Sequence, residues 1–367
     1  MIDMARLLAE RDVVVSLITT PFNASRFENT IHRAADAGLP IRLVPIPFPC
    51  REVGLPPECE NLDIVPSRDL IRKFYSAMDK LQQPLEHYLQ QQKPPPSCII
   101  SDKCLSWTSG TARKFGIPRL LPGAFVTLPD LDDIRNQMRE AESTAYGVVV
   151  NTFNELEHGC VEEYEKAIKK KVWSIGPVSL SNKHNLDKFE RGNKASIDEK
   201  QCLGWLDSMK PGSVVYACLG SQCRLVPAQL IELGLGLEAS KQPFIWVIKT
   251  GERFSELEDW LVEERFEDRI KGRGLVIKVE GVCSGLAWAL RSPLDGEMKR
   301  VGVLVKKCEV EKAVETLMDG GEEGEMRKKR ARELSASARR AMEDGGSSHV
   351  NMSILIQDIT KLQSTQR

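Results

Sequence analysis

The chain has 367 residues, with 51 Lys and Arg against 52 Asp and Glu and a net charge of −1. That balance excludes a global field that recruits nucleic acid or a membrane surface, and the length allows a large core, most naturally as two domains. The ten cysteines (Cys50, Cys59, Cys98, Cys104, Cys160, Cys202, Cys218, Cys223, Cys283 and Cys308) form no C-x-x-C pair and the five histidines lack metal-type spacing, so a cytoplasmic protein with reduced thiols and no metal site is expected.

Residues 2–11 are amphipathic and predict a helix, without the basic start or small-residue cleavage site of a signal peptide. No apolar run is long enough to span a bilayer. A strand over 13–19, a helix over 24–37 and a strand over 41–46 follow. Pro45, Pro47, Pro49, Pro56 and Pro57 then mark a long loop. Residues 70–92 read as one amphipathic helix ended by Pro94–Pro96. Next come a strand over 97–101, a helix over 104–115, a buried strand over 146–151, an acidic helix from 154 to about 169 and a strand over 172–175 closed by Gly176-Pro177.

Residues 182–194 are polar and nearly free of large apolar side chains, as expected of an interdomain linker. Ser196 is placed as an N-cap for a helix over 197–209, with Glu199 completing a capping box. Residues 213–249 then read as strand, tight loop, helix and strand. The apolar run 213–219 suits a strand buried on both faces, Gly220 and Ser221 break it, and Pro227 suits a first helical turn. Ligands of open parallel sheets bind outside the carboxyl ends of strands, and a helix N-terminus favours anions. Gly220 and Ser221 are therefore candidate contacts to a nucleotide diphosphate, against the simpler reading of a strand-to-helix turn. Strands over 274–278 and 301–305 and helices over 308–318, 323–343 and 348–362 complete the chain. The alternation implies α/β architecture with mostly parallel sheets.

Two features break the pattern. The chain opens on a helix that ought to follow a strand, and residues 279–300 are neither clean helix nor clean strand. A sheet missing a central strand would expose apolar surface.

The residues that carry a resemblance are IDMARLLAERDVVVSLITTPFNASRF (2–27), CIISDKCLSWTSGTARKFGIPR (98–119), YGVVVNTFNELE (146–157), VWSIGPVSL (172–180), CLGWLDSMKPGSVVYACLGS (202–221), LIELGLGLEASKQPFIWVIK (230–249) and the stretch 302–359. Together they resemble the plant UDP-sugar-dependent glycosyltransferases of secondary metabolism, over almost the whole chain. The resemblance implies a GT-B architecture of two facing Rossmann-like domains. Residues 1–181 would hold the acceptor, 182–195 the linker, 196–345 the UDP-sugar, and 346–367 a helix returning to the first domain, with incomplete sheets.

It also implies transfer of a hexose, typically glucose, from UDP-glucose or a similar UDP-sugar to a small phenolic, terpenoid or other alcohol. The expected enzyme inverts the anomeric centre and is a monomer that uses no metal cofactor. Asp102 matches the family's aspartate that orients a catalytic histidine; from local pattern alone it serves equally well as a cap on a helix starting near Cys104. The family's histidine falls before the position matched by Met1, and His32, His87, His158, His184 and His349 match no base. Gly220 and Ser221 match the loop beside the diphosphate, and Glu280 matches the glutamate that binds the ribose.

Most of the family's donor box has no counterpart after Lys278, where Val279-Glu280-Gly281 follows directly. The uracil-stacking tryptophan, the phosphate-binding histidine and asparagine and the sugar-binding acid–glutamine pair are missing. Trp288 is no replacement, because its context does not match. A further gap falls between Leu120 and Leu121, where the family carries part of its acceptor pocket. The chain is therefore expected to transfer sugar weakly or not at all, with a non-catalytic binding homologue as the alternative. A nicotinamide or flavin oxidoreductase is a third reading, disfavoured because Gly234-Leu-Gly236 lies within a helical pattern rather than in a loop.

Overall fold

A computed structural model describes residues 1–122, 132–182, 195–219, 225–250, 254–280 and 304–365. The chain divides into two compact units, Met1–Lys188 with Arg330–Arg367, and Phe189–Lys329.

The first unit contains two parallel sheets. Val15–Thr19 (β1) pairs with Ile41–Pro45 (β2). Ile99–Ile100 (β3), Arg119–Pro122 (β4), Gly147–Val150 (β5) and Lys171–Ser174 (β6) follow one another in sequence order across a second sheet. Among the described residues β1 and β3 are not paired, so the strand layer is interrupted between them. Every residue of β1 is half-buried, yet Val15 and Ile100 pack on one core built from Met4, Leu7, Leu8, Leu120, Val149, Trp173 and Ile175.

Strand β4 was not predicted. It crosses the Leu120-Leu121 step at which a gap was expected, and both leucines are fully buried between β3 and β5. Four residues ending in Pro122 are too short to show a period, but the sheet supplies partners on both sides. The single helix expected over 70–92 is two, Ile71–Asp79 and Gln82–Gln91. Pro84 explains the break, because it has no N–H to donate and is tolerated only in a first turn.

The Ser347–Thr365 helix belongs to the first unit. Met352, Leu355 and Ile359 enter its core. Ser348 donates to the Gly176 carbonyl at 2.5 Å, and Lys171 pairs with Asp358 at 2.9 Å.

The second unit is a parallel sheet of Val215–Cys218 (β7), Phe244–Thr250 (β8) and Gly274–Glu280 (β9), in that order. Phe244, Trp246 and Ile248 project from β8 into a core with Leu230, Leu237, Leu257, Phe266 and Ile270. The capping residue expected at Ser196 is corrected. Asp198 caps the Glu199–Asp207 helix, with Gln201 closing the capping box, and Ser196 instead accepts from the Lys278 N–H at 2.9 Å on the edge of β9. An aspartate one residue before the helix outcompetes a serine three residues before it, because only the residue adjoining N1 reaches the N3 amide.

Gly234 and Gly236 lie inside the Pro227–Ala239 helix, where they allow close packing. A Cβ on Gly234 would meet the Trp246 ring at 2.7 Å, and one on Gly236 would meet the Val310 Cβ at 2.5 Å and the Lys307 carbonyl at 2.8 Å. These glycines seat the helix on its neighbours and do not form a dinucleotide loop. Gly236→Ala should cost about 1–3 kcal/mol by overpacking. Gly204→Ala, in a helix where an added Cβ meets nothing within 4 Å, should instead stabilise by about 0.5–1 kcal/mol. Thermal melts of the two variants should move in opposite directions.

Candidate functional site

Of the four residues singled out in the sequence, the described structure resolves the surroundings of one. Gly220 and Ser221 lie outside the described residues. Glu280 closes β9, its backbone opposite Thr250 on β8, and its side chain lies outside the described residues. The linker expected at 182–195 falls almost wholly outside them too, though Asn182 at its start is buried and accepts from Arg6 at 2.7 Å.

Asp102 stands just beyond the carboxyl end of β3, where a parallel sheet places ligands. The preceding residue anchors it. Ser101 is buried, shares a 2.8 Å hydrogen bond with the Thr108 hydroxyl and accepts from Arg119 Nε at 3.0 Å. Asp102 itself is exposed. Its Oδ1 accepts the Cys104 N–H at 2.8 Å, and its carbonyl accepts the Leu105 N–H at 3.1 Å. The helix begins only at Thr108, so Asp102 does not cap it. The carboxylate instead closes a local turn, the bond aspartate commonly makes two residues on.

Two further residues bear on that carboxylate, and neither was singled out in the sequence. Cys104 gives its amide to the Asp102 carboxylate and packs its side chain in the cluster around Tyr75. Tyr75 comes from the Ile71–Asp79 helix, is 6% exposed, and packs with Met138, Ile134 and Cys104. Burial, and then the negative charge of Asp102, push the Cys104 thiol up to about 12, while Lys103 opposes the shift. Burial likewise raises the Tyr75 phenol. Lys103 is itself paired with Glu142 at 2.7 Å. Cys104 could have been suspected from its position two residues after Asp102. Tyr75 has no local signal, because only the fold brings it there.

A groove of about 1060 Å³ opens in the first unit between the proline-rich loop and the Ser76–Glu86 stretch, walled by Phe48, Pro49, Pro57, Glu60, Asp79 and Pro84. Asp102 does not line it. Among the described residues no cluster of three or more His, Cys, Asp or Glu could hold a metal, and no helix is long and apolar enough to cross a membrane.

No family model matches the chain. Individual relatives do. The chain is 42% identical to UDP-glycosyltransferase 73D1 of Arabidopsis thaliana, covering 98% of this chain and 93% of the relative. It is 40% identical to UDP-glycosyltransferase 73C6 of the same plant, covering 99% and 94%. The first alignment runs over 473 positions although the chain has 367 residues; more than a hundred positions therefore have no counterpart in it. Among solved structures, Glycyrrhiza uralensis UGT73P12, complexed with glycyrrhetinic acid 3-O-monoglucuronide, matches with a TM-score of 0.83 at 25% identity, covering all of this chain and 93% of that one. Arabidopsis thaliana UGT89C1, complexed with UDP-L-rhamnose, matches in fold with a TM-score of 0.75 at 22% identity, covering 98% and 95%. Both are glycosyltransferases with two Rossmann-like α/β domains of the GT-B kind, and that is the fold class of this chain.

Proposed function

Because this chain belongs to the plant UDP-glycosyltransferase family, we propose that it transfers a hexose from a UDP-sugar, UDP-glucose being the best candidate, to a hydroxyl of a small phenol, terpenoid or other alcohol. In the reaction the acceptor oxygen loses its proton, attacks the anomeric carbon from the face opposite the leaving group, and UDP departs with the electrons of the broken C–O bond. Inversion follows from that single displacement. The first unit is assigned the acceptor and the second the UDP-sugar, and the work is that of a monomer in the cytoplasm. No metal is needed where a helix N-terminus and polar side chains stabilise the diphosphate.

The observation that carries the reading is the placement of Asp102 just beyond the carboxyl end of β3, in a chain of which 98% aligns with a 42%-identical UDP-glycosyltransferase. Asp102 is assigned the catalytic position of the aspartate that in the family orients a histidine base, although none of this chain's five histidines matches that base. Gly220 and Ser221 are assigned to the diphosphate and Glu280 to the ribose.

The missing alignment positions argue for weak transfer, since the sequence after Lys278 lacks most of the side chains expected to hold the donor. The same observation favours the second reading, a homologue that binds a small molecule without turning it over. Incubation with UDP-glucose and a panel of phenols and terpenoid alcohols, followed by mass spectrometry, separates the two. Transfer yields acceptor carrying one hexose, dependent on UDP-glucose and reduced at least about tenfold by Asp102→Ala. Acceptor retention without hexosylation would support the binding homologue, and product insensitive to Asp102→Ala would remove that residue's role.

A further inference from the structure

We propose that the break in the strand layer between β1 and β3 is a strand-acceptor site, filled by an extended apolar segment of a second, different polypeptide. The inference stands apart from the sugar-transfer reading and from Asp102. In a parallel ladder each residue turns its N–H and carbonyl to one side, and the next residue turns to the other. Val15 donates to the Pro40 carbonyl and the Thr19 carbonyl accepts from Ile46, both on the β2 side. Ser16 and Ile18 therefore turn their backbone groups away from β2. Ile99 donates to Pro118 and Ser101 to Leu120, both on the β4 side, so Ile100 turns away from β4. Among the described residues these outward groups of Ser16, Ile18 and Ile100 meet no hydrogen-bond partner.

The two open edges flank one core. Val15 and Ile100 pack with Met4, Leu7 and Leu8 of the Ile2–Ala9 helix. On the other face of β1, Tyr88 of the Gln82–Gln91 helix donates to the Ser16 hydroxyl at 3.1 Å. A strand entering beside β1 would therefore be covered on both faces. Composition sets these edges apart from the outer ones. Sheets blunt free edges with charge or proline; Arg42 and Pro45 do so on β2, and Lys171 on β6. Residues 13–19 and 98–101 carry neither, and have the makeup of strands paired on both sides. The same chemistry defines the occupant, an apolar run without proline matching the five residues of β1. A second copy has none to spare, because among the described residues every strand is already paired in its own sheet.

A synthetic peptide copying residues 146–151 between flanking lysines is the probe, because Gly147–Val150 (β5) itself sits between two parallel neighbours. Added to the full chain at about ten times its dissociation constant, it should slow amide hydrogen exchange in 13–19 and 98–101 about tenfold. Exchange in the outer strand 41–45 and in 215–218 of the second unit should not change. The peptide carrying Val148→Pro lacks one ladder N–H and should bind at least about tenfold more weakly. No binding, equal binding by the proline peptide, or protection confined to other segments would overturn the site. Protection of 13–19 and 98–101 before peptide is added, rising with protein concentration as a dimer forms on sedimentation, would assign the site to a second copy and overturn the proposed occupant.

Discussion

Assayed with UDP-glucose and a shared phenol acceptor, the chain will turn over at least about 100-fold more slowly than UDP-glycosyltransferase 73D1. The departing diphosphate develops charge in the transition state, and removing one group that stabilises such charge costs about 10²–10³ in kcat. Here the sequence passes directly from Lys278 through Glu280 to Gly281, and more than a hundred positions of the relative have no counterpart. Effects of groups acting together are not additive, so a single group's cost sets the expected minimum. Inserting the corresponding donor segment of the relative between Lys278 and Glu280 should raise turnover at least about tenfold. Unchanged turnover in a folded chimera would place the defect elsewhere.

The second large effect concerns stability. Ending the chain at Gly346 should abolish cooperative folding of the first unit. The lost helix carries Met352, Leu355 and Ile359, at most 9% exposed, into the core that also holds Leu7, Leu120 and Trp173. Each such side chain contributes about 1.5–3 kcal/mol by burial, against a total of about 5–15 kcal/mol for a native domain. The truncation also removes the Ser348–Gly176 and Asn351–Ser174 hydrogen bonds and leaves Lys171 without Asp358. Leu355→Ala is the milder form, expected to cost about 2–5 kcal/mol. Circular dichroism melts check both, and a truncated chain with a cooperative transition within a few degrees of the full chain would contradict the account.

Much of the fold was legible because strands buried on both faces read as continuous apolar runs. VVV at 148–150 and FIWVI at 244–248 both lie in strands. Elements decided by tertiary context were harder to read. Strand β4 is four residues long and exists because β3 and β5 flank it. The helix cap moved from Ser196 to Asp198 because Ser196 is drawn to the edge of β9. The site shows the same division. Asp102 could be found as a polar residue ending an apolar run, but its alternative reading as a helix cap fell only when the helix proved to begin at Thr108. Tyr75 could not be found at all, since its packing with Cys104 joins elements far apart in the chain.

The glycines sharpen the point. Gly234-Leu-Gly236 resembles part of a nucleotide fingerprint by composition, yet its helix brings Gly234 against Trp246 and Gly236 against Val310. Their function is packing. The diphosphate is instead assigned to the break at Gly220 and Ser221, and the ribose to Glu280, all outside the residues whose side chains the structure describes.

Titration of the purified chain with UDP by calorimetry tests the central claim most directly, because it reads the donor half without acceptor chemistry. The account predicts binding weaker than about 1 mM, equivalent to less than about 4 kcal/mol, with UDP-glycosyltransferase 73D1 binding markedly tighter under the same conditions. A micromolar dissociation constant for this chain would contradict it, since the residues left around Gly220, Ser221 and Glu280 would then suffice to hold the nucleotide.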